Sequence, residues 1–470
     1  HDPMQVNLAL RKTLPDDQRF FFEAIMPSRD GWNAAFCCGS NSVTRRTAMR
    51  KAGDELPTGS ITEDMLLTLV MVRHGYITRY LCERLAFGLA PESIKAFFVQ
   101  RQRWARGAIQ MLYLSEGPLG PGLSFIHRLL FLPTHWFTQS LLCLMSIVTP
   151  LIFLWTGLRP LVNVTVESGL YYIVPTVLAL VGGISVFAER KYFPLAAQVL
   201  GLFQSLKILP TALATLVRPH GHIFKVTPKG AGAADISYEF GIFWTASALL
   251  LLTFIGLIAN ATPDWRIVQQ AALVPLVAFW CAVNIVQLFL VCMMCLQLPV
   301  RRGEERFEID EPMWLQDEHG GRTLARTTDL SLSGARIRLV TSPVEPIEVD
   351  ALFRLYIRDV GNITGRVARV TGDNLGIQFD LPPSVERDLL IRKLFTSGLD
   401  TTAVTTSVWA ASVGMIERIW LANPATHHAP ATADAPIKEE KLPAQTLVLL
   451  PTSHAHTLSS MASERRASAA

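Results

Sequence analysis

Four long apolar runs interrupt the polar pattern of this chain, near 136–156, 171–188, 241–260 and 272–296. Each approaches the roughly 20 residues that a helix needs to cross a bilayer. The loop between the second and third runs carries Arg190, Lys191, Lys207, Arg218, Lys225 and Lys229, whereas the other two loops carry only Arg159 and Arg266. An even number of crossings returns the flanking soluble regions, 1–125 and 299–400, to one side. The basic bias marks that side as cytoplasmic. The middle loop opens on FPLAAQVLGLFQSLKILPTALATLV, 193–217, which is apolar but bounded by Pro194 and broken at Pro210. This pattern predicts an interfacial helix, with a fifth span as the alternative. A polar loop, RPHGHIFKVTPKGAGA, follows.

Before the first run the pattern is mixed and largely helical. SVTRRTAMRKAG reads as a helix ending at Gly53. TEDMLLTLVMVRHG reads as a helix capped by Thr62, with Glu63 and Asp64 in its first turn and Gly75 closing it. Strand patterns in 1–125 are too few for a complete catalytic sheet. From 299 the period changes to two, in GARIRLV, LFRLYIR, NITGRVARV and LGIQFD, which predicts a small antiparallel barrel. A charged helix, VERDLLIRKLF, follows, then an amphipathic one, SVWAASVGMIERIW, within 401–422. Residues 423–470, rich in Ala, Thr, Pro and His, read as a disordered tail. The expected fold is thus a multi-domain membrane protein. It has a partial α/β region at 1–125, a helical transmembrane region at 126–298, and a β-barrel with a flanking helix at 299–400.

Composition agrees with that division. Half of the 470 residues are hydrophobic and only 17% are charged, and the mean hydropathy is +0.30. A wholly soluble protein is excluded, and membrane lipid is the expected surrounding. The net charge of +4 is too small to argue for a nucleic-acid polymer as partner. Seven cysteines, mostly in apolar runs (Cys143, Cys281, Cys292 and Cys295), imply no disulfide framework. The CxxC spacing of Cys292 and Cys295 has no second pair, so it reads as apolar packing rather than a metal site. With no signal peptide and His1 at its start, the chain reads as a fragment or a processed form.

Three short stretches carry candidate chemistry. In FCCGS, 36–40, Gly39 permits a tight turn or close approach of backbone to a ligand, and Cys38 by itself reads as a small buried hydrophobe. In TED, acids in a first helical turn complement the helix dipole, and Asp64 is equally a candidate general base for a sugar hydroxyl. In FFVQRQRWARG, 97–107, Gln100, Arg103 and Trp104 fall within one helical turn. An arginine fork suits a diphosphate and an indole face suits a sugar ring; an interfacial aromatic and arginine belt is the plainer alternative.

In this order and spacing, FCCGS, TED and QRQRW resemble the processive family-2 glycosyltransferases. The resemblance implies a GT-A-like glycosyltransferase region in which Thr62, Glu63 and Asp64 supply the catalytic base. It places Gln100, Arg103 and Trp104 at the donor diphosphate and polymer end, with Cys38 and Gly39 beside the acceptor. FKVTPKG resembles the gating loop, 218–236 here, of bacterial cellulose synthase catalytic subunits, so Phe224, Val226, Thr227 and Lys229 are expected to contact the bound nucleotide. RRGEER, 301–306, with DLSLSG, 329–334, resembles the PilZ signature for cyclic di-GMP. Arg302 and Arg306 match its first half, Asp329, Ser331 and Gly334 its second, and Arg301 extends it. Arginine forks and a short polar turn suit phosphates and guanine edges; a topology anchor is the alternative for the arginines. The same subunits lead us to expect that Arg301 or Arg302 pairs with Glu92 until cyclic di-GMP competes the arginine away.

The match departs from the family twice. Cys37 stands where the family has an aromatic residue, and the D-x-D motif that holds Mg²⁺ in the family has no counterpart here, since Asp2 lies too close to Cys38. The Mg²⁺ ligands are therefore expected upstream, the chain being the carboxyl-terminal part of a larger synthase. The implied activity is inverting transfer of glucose from UDP-glucose to a growing cellulose chain, exported through the inner membrane and activated by cyclic di-GMP, with a periplasmic partner subunit. A synthase of another β-glycan, or a non-catalytic membrane receptor for cyclic di-GMP, are the alternatives.

Overall fold

A computed structural model of the chain describes residues 14, 17–39, 41–83, 91, 93–159, 165–221, 237–269, 273–297, 306–341, 346–380, 384–396 and 407–420. The chain divides into His1–Pro424 and Ala425–Ala470, and every described residue belongs to the first unit. The expected tail, the gating-loop residues Phe224, Val226, Thr227 and Lys229, and Glu92, Arg301 and Arg302 lie outside the described residues.

The amino-terminal region is helical, with no strand among its described residues. A helical segment over 17–30, with a π-helical turn at Phe21–Ile25, leads into an extended stretch at 34–38. Helix α1 (Arg46–Lys51) is followed by Gly53 at φ +101°, and α2 (Glu63–Arg73) by Gly75 at φ +78°. Both glycines take the left-handed conformation that ends helices at low cost. Helix α3 (Ile94–Gln110) starts at Ser93, whose hydroxyl accepts the Ala96 N–H at 3.1 Å. Leu66 and Leu69 of α2, Ala108 of α3 and Phe131 of α4 (Phe125–Phe131) share one small core with Ala34 and Met111. This core fixes the start of α2 against the end of α3.

Among the described residues, five helices are long and apolar enough to cross a membrane: α5 (Thr134–Thr156), α6 (Val166–Phe187), α7 (Pro194–Val217), α8 (Phe240–Ala261) and α9 (Val274–Met294). Four of them match the apolar runs. The other, α7, runs through Pro210 without interruption, contrary to the break expected there. Pro210 cannot donate to the Leu206 carbonyl, at a typical cost of about 3 kcal/mol. Burial of Leu202, Phe203, Ile208 and Ala212 on either side holds the helix together.

The barrel is closed in the order β1 (Pro312–Gln316), β2 (Arg322–Leu330), β3 (Gly334–Leu339), β6 (Asn374–Phe379), β5 (Gly361–Thr371), β4 (Leu352–Ile357), with β4 returning to β1. All neighbours are antiparallel. Inward positions such as Leu315, Ala325, Ile337, Leu355, Val367 and Leu375 are buried and alternate with polar ones, as period two requires. Helix α10 (Ser384–Thr396) adds Leu390 and Leu394 to this core. Its Lys393, only 3% exposed, reaches Glu311 at 2.7 Å. Helix α11 (Val408–Trp420) buries Ala411 and Met415 in the core of the membrane-helix region.

Candidate functional site

Helices α2 and α3 meet almost without intervening side chains. A Cβ built on Gly107 would fall 2.5 Å from Thr62 Cγ2 and 2.8 Å from the Thr62 N atom, so only glycine allows this approach. Polar bonds seal the same junction. Ser60 Oγ donates to the Gly107 carbonyl at 2.9 Å, and the Ile61 N–H donates to Gln110 Oε1 at 3.0 Å. Thr62 stands at the N-cap position, but its hydroxyl does not cap the helix as expected. Crowded by Gly107, it pairs with Ser60 Oγ at 3.1 Å instead. Asp64 itself takes a first-turn donor, accepting the Met65 N–H at 2.8 Å.

The FCCGS stretch closes over the same carboxylate. A Cβ on Gly39, which has φ +83°, would lie 3.1 Å from Asp64 Oδ2. Cys37 N–H donates to Thr68 Oγ1 at 3.0 Å, one helical turn beyond Asp64. Burial is the main influence that raises the Asp64 pKa, with Glu63 adding to it, while the Met65 N–H and Arg103 oppose it. Burial, then Asp64 and Cys37, push the Cys38 thiol up to about 12, so Cys38 is a neutral wall beside the carboxyl. Cys38, Gly39, Asp64 and Arg103 are thus gathered in one place. The result is a carboxylate of raised basicity with a cation in reach, an arrangement able to accept a proton beside an anion.

The remaining α3 residues lie in surroundings of their own. The Gln100 side-chain oxygen is buried and has no hydrogen-bond partner among the described residues. The Trp104 ring is covered by the Arg101 guanidinium at 4.9 Å, which also lies 5.1 Å from the Phe97 ring. Arg101 went unread because it sits inside a run of similar residues. Arg29 was missed for a different reason: its partners are distant in sequence. It lies between the rings of Phe36 and Phe131 at 5.0 and 4.7 Å, and donates to the Ala34 and Leu130 carbonyls at 2.9 and 2.6 Å. Burial lowers its pKa to about 10.

The barrel forms a second constellation. Asp329 ends β2 and receives Arg306 Nη1 on one carboxylate oxygen at 3.1 Å and Arg336 Nε on the other at 3.4 Å. Ser331 donates through both its N–H and its hydroxyl to the Gly334 carbonyl, at 2.8 and 3.1 Å, which shapes the turn into β3. Phe307, next to Arg306, pairs with Leu330 in both directions at 2.8 and 2.9 Å, and this bridge delivers Arg306 to Asp329. Arg306, Asp329, Ser331 and Gly334 therefore converge on the joint between β2 and β3.

Two stretches of the chain match known family models. Residues 21–186 match the family model for glycosyl transferase family group 2, and residues 300–396 match the PilZ domain. The chain thus carries a stretch similar to family-2 glycosyltransferases and a stretch similar to PilZ domains, and among the described residues it has helices long and apolar enough to cross a membrane. Over most of its length it is similar to cellulose synthases. It is 28% identical over 373 residues to cellulose synthase 2 of Novacetimonas hansenii, covering 78% of this chain and 23% of that one. It is 28% identical over 358 residues to the UDP-forming cellulose synthase 1 catalytic subunit of Komagataeibacter xylinus, covering 74% and 47%. It is 27% identical over 419 residues to the UDP-forming cellulose synthase catalytic subunit of Pseudomonas fluorescens, covering 88% and 55%. The chain spans about half, or less, of the length of these curated relatives.

Proposed function

We propose that this chain carries the acceptor side of an inner-membrane cellulose synthase, transferring glucose from UDP-glucose to a β-1,4-glucan under control of cyclic di-GMP. The observation that carries the reading is the placement of the Asp64 carboxylate, backed by Gly39 and in electrostatic reach of Arg103.

In this reading Asp64 takes the proton from the 4-hydroxyl of the terminal sugar. The freed oxygen attacks the anomeric carbon of the donor and inverts it. Arg103 offsets charge on the departing diphosphate, and the unpaired Gln100 oxygen accepts a donor from the bound nucleotide or sugar. Trp104, braced by Arg101, presents an aromatic face to the glucan. The membrane helices then pass the polymer outward, with a periplasmic subunit as partner. Phe224, Val226, Thr227 and Lys229 gate the nucleotide, and a pairing of Glu92 with Arg301 or Arg302 restrains that gate until cyclic di-GMP binds.

Family-2 glycosyltransferases usually use a divalent metal, such as Mg²⁺. Among the described residues no group of three or more His, Cys, Asp or Glu side chains could hold one. The proposal is tested on membrane vesicles carrying the protein, supplied with labelled UDP-glucose, with and without cyclic di-GMP. The expected product is an insoluble polymer that a β-1,4-glucanase digests and that increases when cyclic di-GMP is added. A polymer resistant to that enzyme points to another β-glycan. Cyclic di-GMP binding without any polymer points to a receptor that does no chemistry.

A further inference from the structure

Beyond the signature residues, the barrel carries a cationic row that neither the sequence motif nor the family match assigns. Asp329 of β2 stands opposite Arg336 of β3, Arg336 opposite Gly376 of β6, and Gly376 opposite Arg369 of β5. Cross-strand partners project to one face of a sheet. The alternate positions Ala335, Ile337, Leu375 and Ile377 are buried, so the row lies on the outside of the barrel. Both ends of the row fall at register shifts, between Thr327 and Asp329 in β2 and between Val367 and Arg369 in β5. Such shifts re-aim side chains and recur beside functional sites.

The middle of the row is open. A Cβ built on Gly376 would come no nearer than 3.6 Å to atoms across the ladder, those of Arg369. With strands roughly 4.8 Å apart, Arg336 and Arg369 flank a bare strip roughly 10 Å wide. Two guanidinium groups over such a strip suit a planar base and a phosphate, because arginine both stacks and forks. Arg336 also shares Asp329 with Arg306, and it is half exposed at 51%.

We infer that Arg336, Gly376 and Arg369 extend the dinucleotide site across β3, β6 and β5. This rests on the reading that the barrel takes cyclic di-GMP. Gly376 is the floor under one base, and Arg369 contacts the adjacent phosphate. Arg336 is a positioning residue that keeps Asp329 paired when the ligand draws Arg306 away.

The test is calorimetry of cyclic di-GMP with the whole chain in detergent, for the unaltered protein and for Arg369→Ala, Gly376→Val, Arg336→Ala and Arg336→Lys. Lost charge-assisted contacts predict about tenfold weaker binding for Arg369→Ala and Arg336→Ala, and a side chain raised on the floor predicts a similar loss for Gly376→Val. Arg336→Lys, which keeps a cation on Asp329, recovers most of the affinity, whereas a merely misfolded barrel would not recover. Unaltered binding in Arg369→Ala, Gly376→Val and Arg336→Ala overturns the inference while leaving the cyclic di-GMP reading intact. If the unaltered chain does not bind cyclic di-GMP at all, that reading fails and the extension with it.

Discussion

At the start of α2 several influences act on one carboxylate. Burial raises the Asp64 pKa from its ordinary value, and the Met65 N–H and Arg103 oppose the rise. A base must be ionised to accept a proton, so the rate of transfer falls as pH drops through that raised value. Arg103→Ala removes one of the influences holding the value down, and the acid limb of the rate profile should move to higher pH. Arg103→Lys should leave the limb nearly in place, since the charge remains. Initial rates of UDP release across pH check both outcomes. The residues of this prediction were legible in the sequence because TED and QRQRW are dense local motifs. Arg29 was not, because what gives it meaning is the pair of rings, Phe36 and Phe131, between which it is packed. Ser60 and Gly107 were hidden in the same way, since the bond that joins them spans 47 residues of sequence.

Among the elements, the turn Ser60–Thr62 that leads into α2 lies directly against α3 at Gly107 and Gln110. Gly107→Val would force a side chain into Thr62, and overpacking of this kind typically costs 1–3 kcal/mol, so we expect about 2 kcal/mol here. The thermal midpoint of the amino-terminal region should fall, and transfer should fall with it because Asp64 moves. The barrel offers a separate prediction. Lys393 is buried against Glu311, with Asp359 near at 3.7 Å, and it fastens α10 to the strands. Because Glu311 is partly exposed, Lys393→Ala should destabilise the barrel by about 2 kcal/mol, less than a fully buried broken pair costs. Chemical unfolding of the chain in detergent would measure it. Period two identified four of the six strands from sequence. It missed β1, which is only five residues long, and β2, whose pattern is diluted by Thr323, Thr327 and a register shift beside Asp329. The cap expected from Thr62 failed because Ser60, two residues earlier and itself bonded to the Gly107 carbonyl, pairs with its hydroxyl.

For the whole molecule, the decisive question is how α7 lies relative to the membrane. Helix α3, which bears Arg101, Arg103 and Arg106, runs alongside it. Gln102 bonds Thr211 at 2.9 Å, Tyr113 bonds the Leu216 carbonyl at 2.5 Å, and Phe98 meets Phe203 at 5.1 Å. A helix so charged is costly to place in hydrocarbon. We therefore expect α7 to lie at the interface, with α5, α6, α8 and α9 as the four crossings. Single cysteines placed at exposed sites in 41–59 and on the barrel should then react with an impermeant reagent from the same side of sealed vesicles. Labelling from opposite sides would require α7 to cross. The apolar runs made the crossings legible, but length and hydropathy alone do not separate a span from a helix lying against one.

The account centres on Asp64 as the base, and the most direct measurement is the rate of UDP release from UDP-glucose by Asp64→Asn in vesicles saturated with cyclic di-GMP. The account predicts a loss of about 10²–10⁴-fold, the usual contribution of a general base, with cyclic di-GMP binding unchanged. A variant that releases UDP at the rate of the unaltered protein would contradict it.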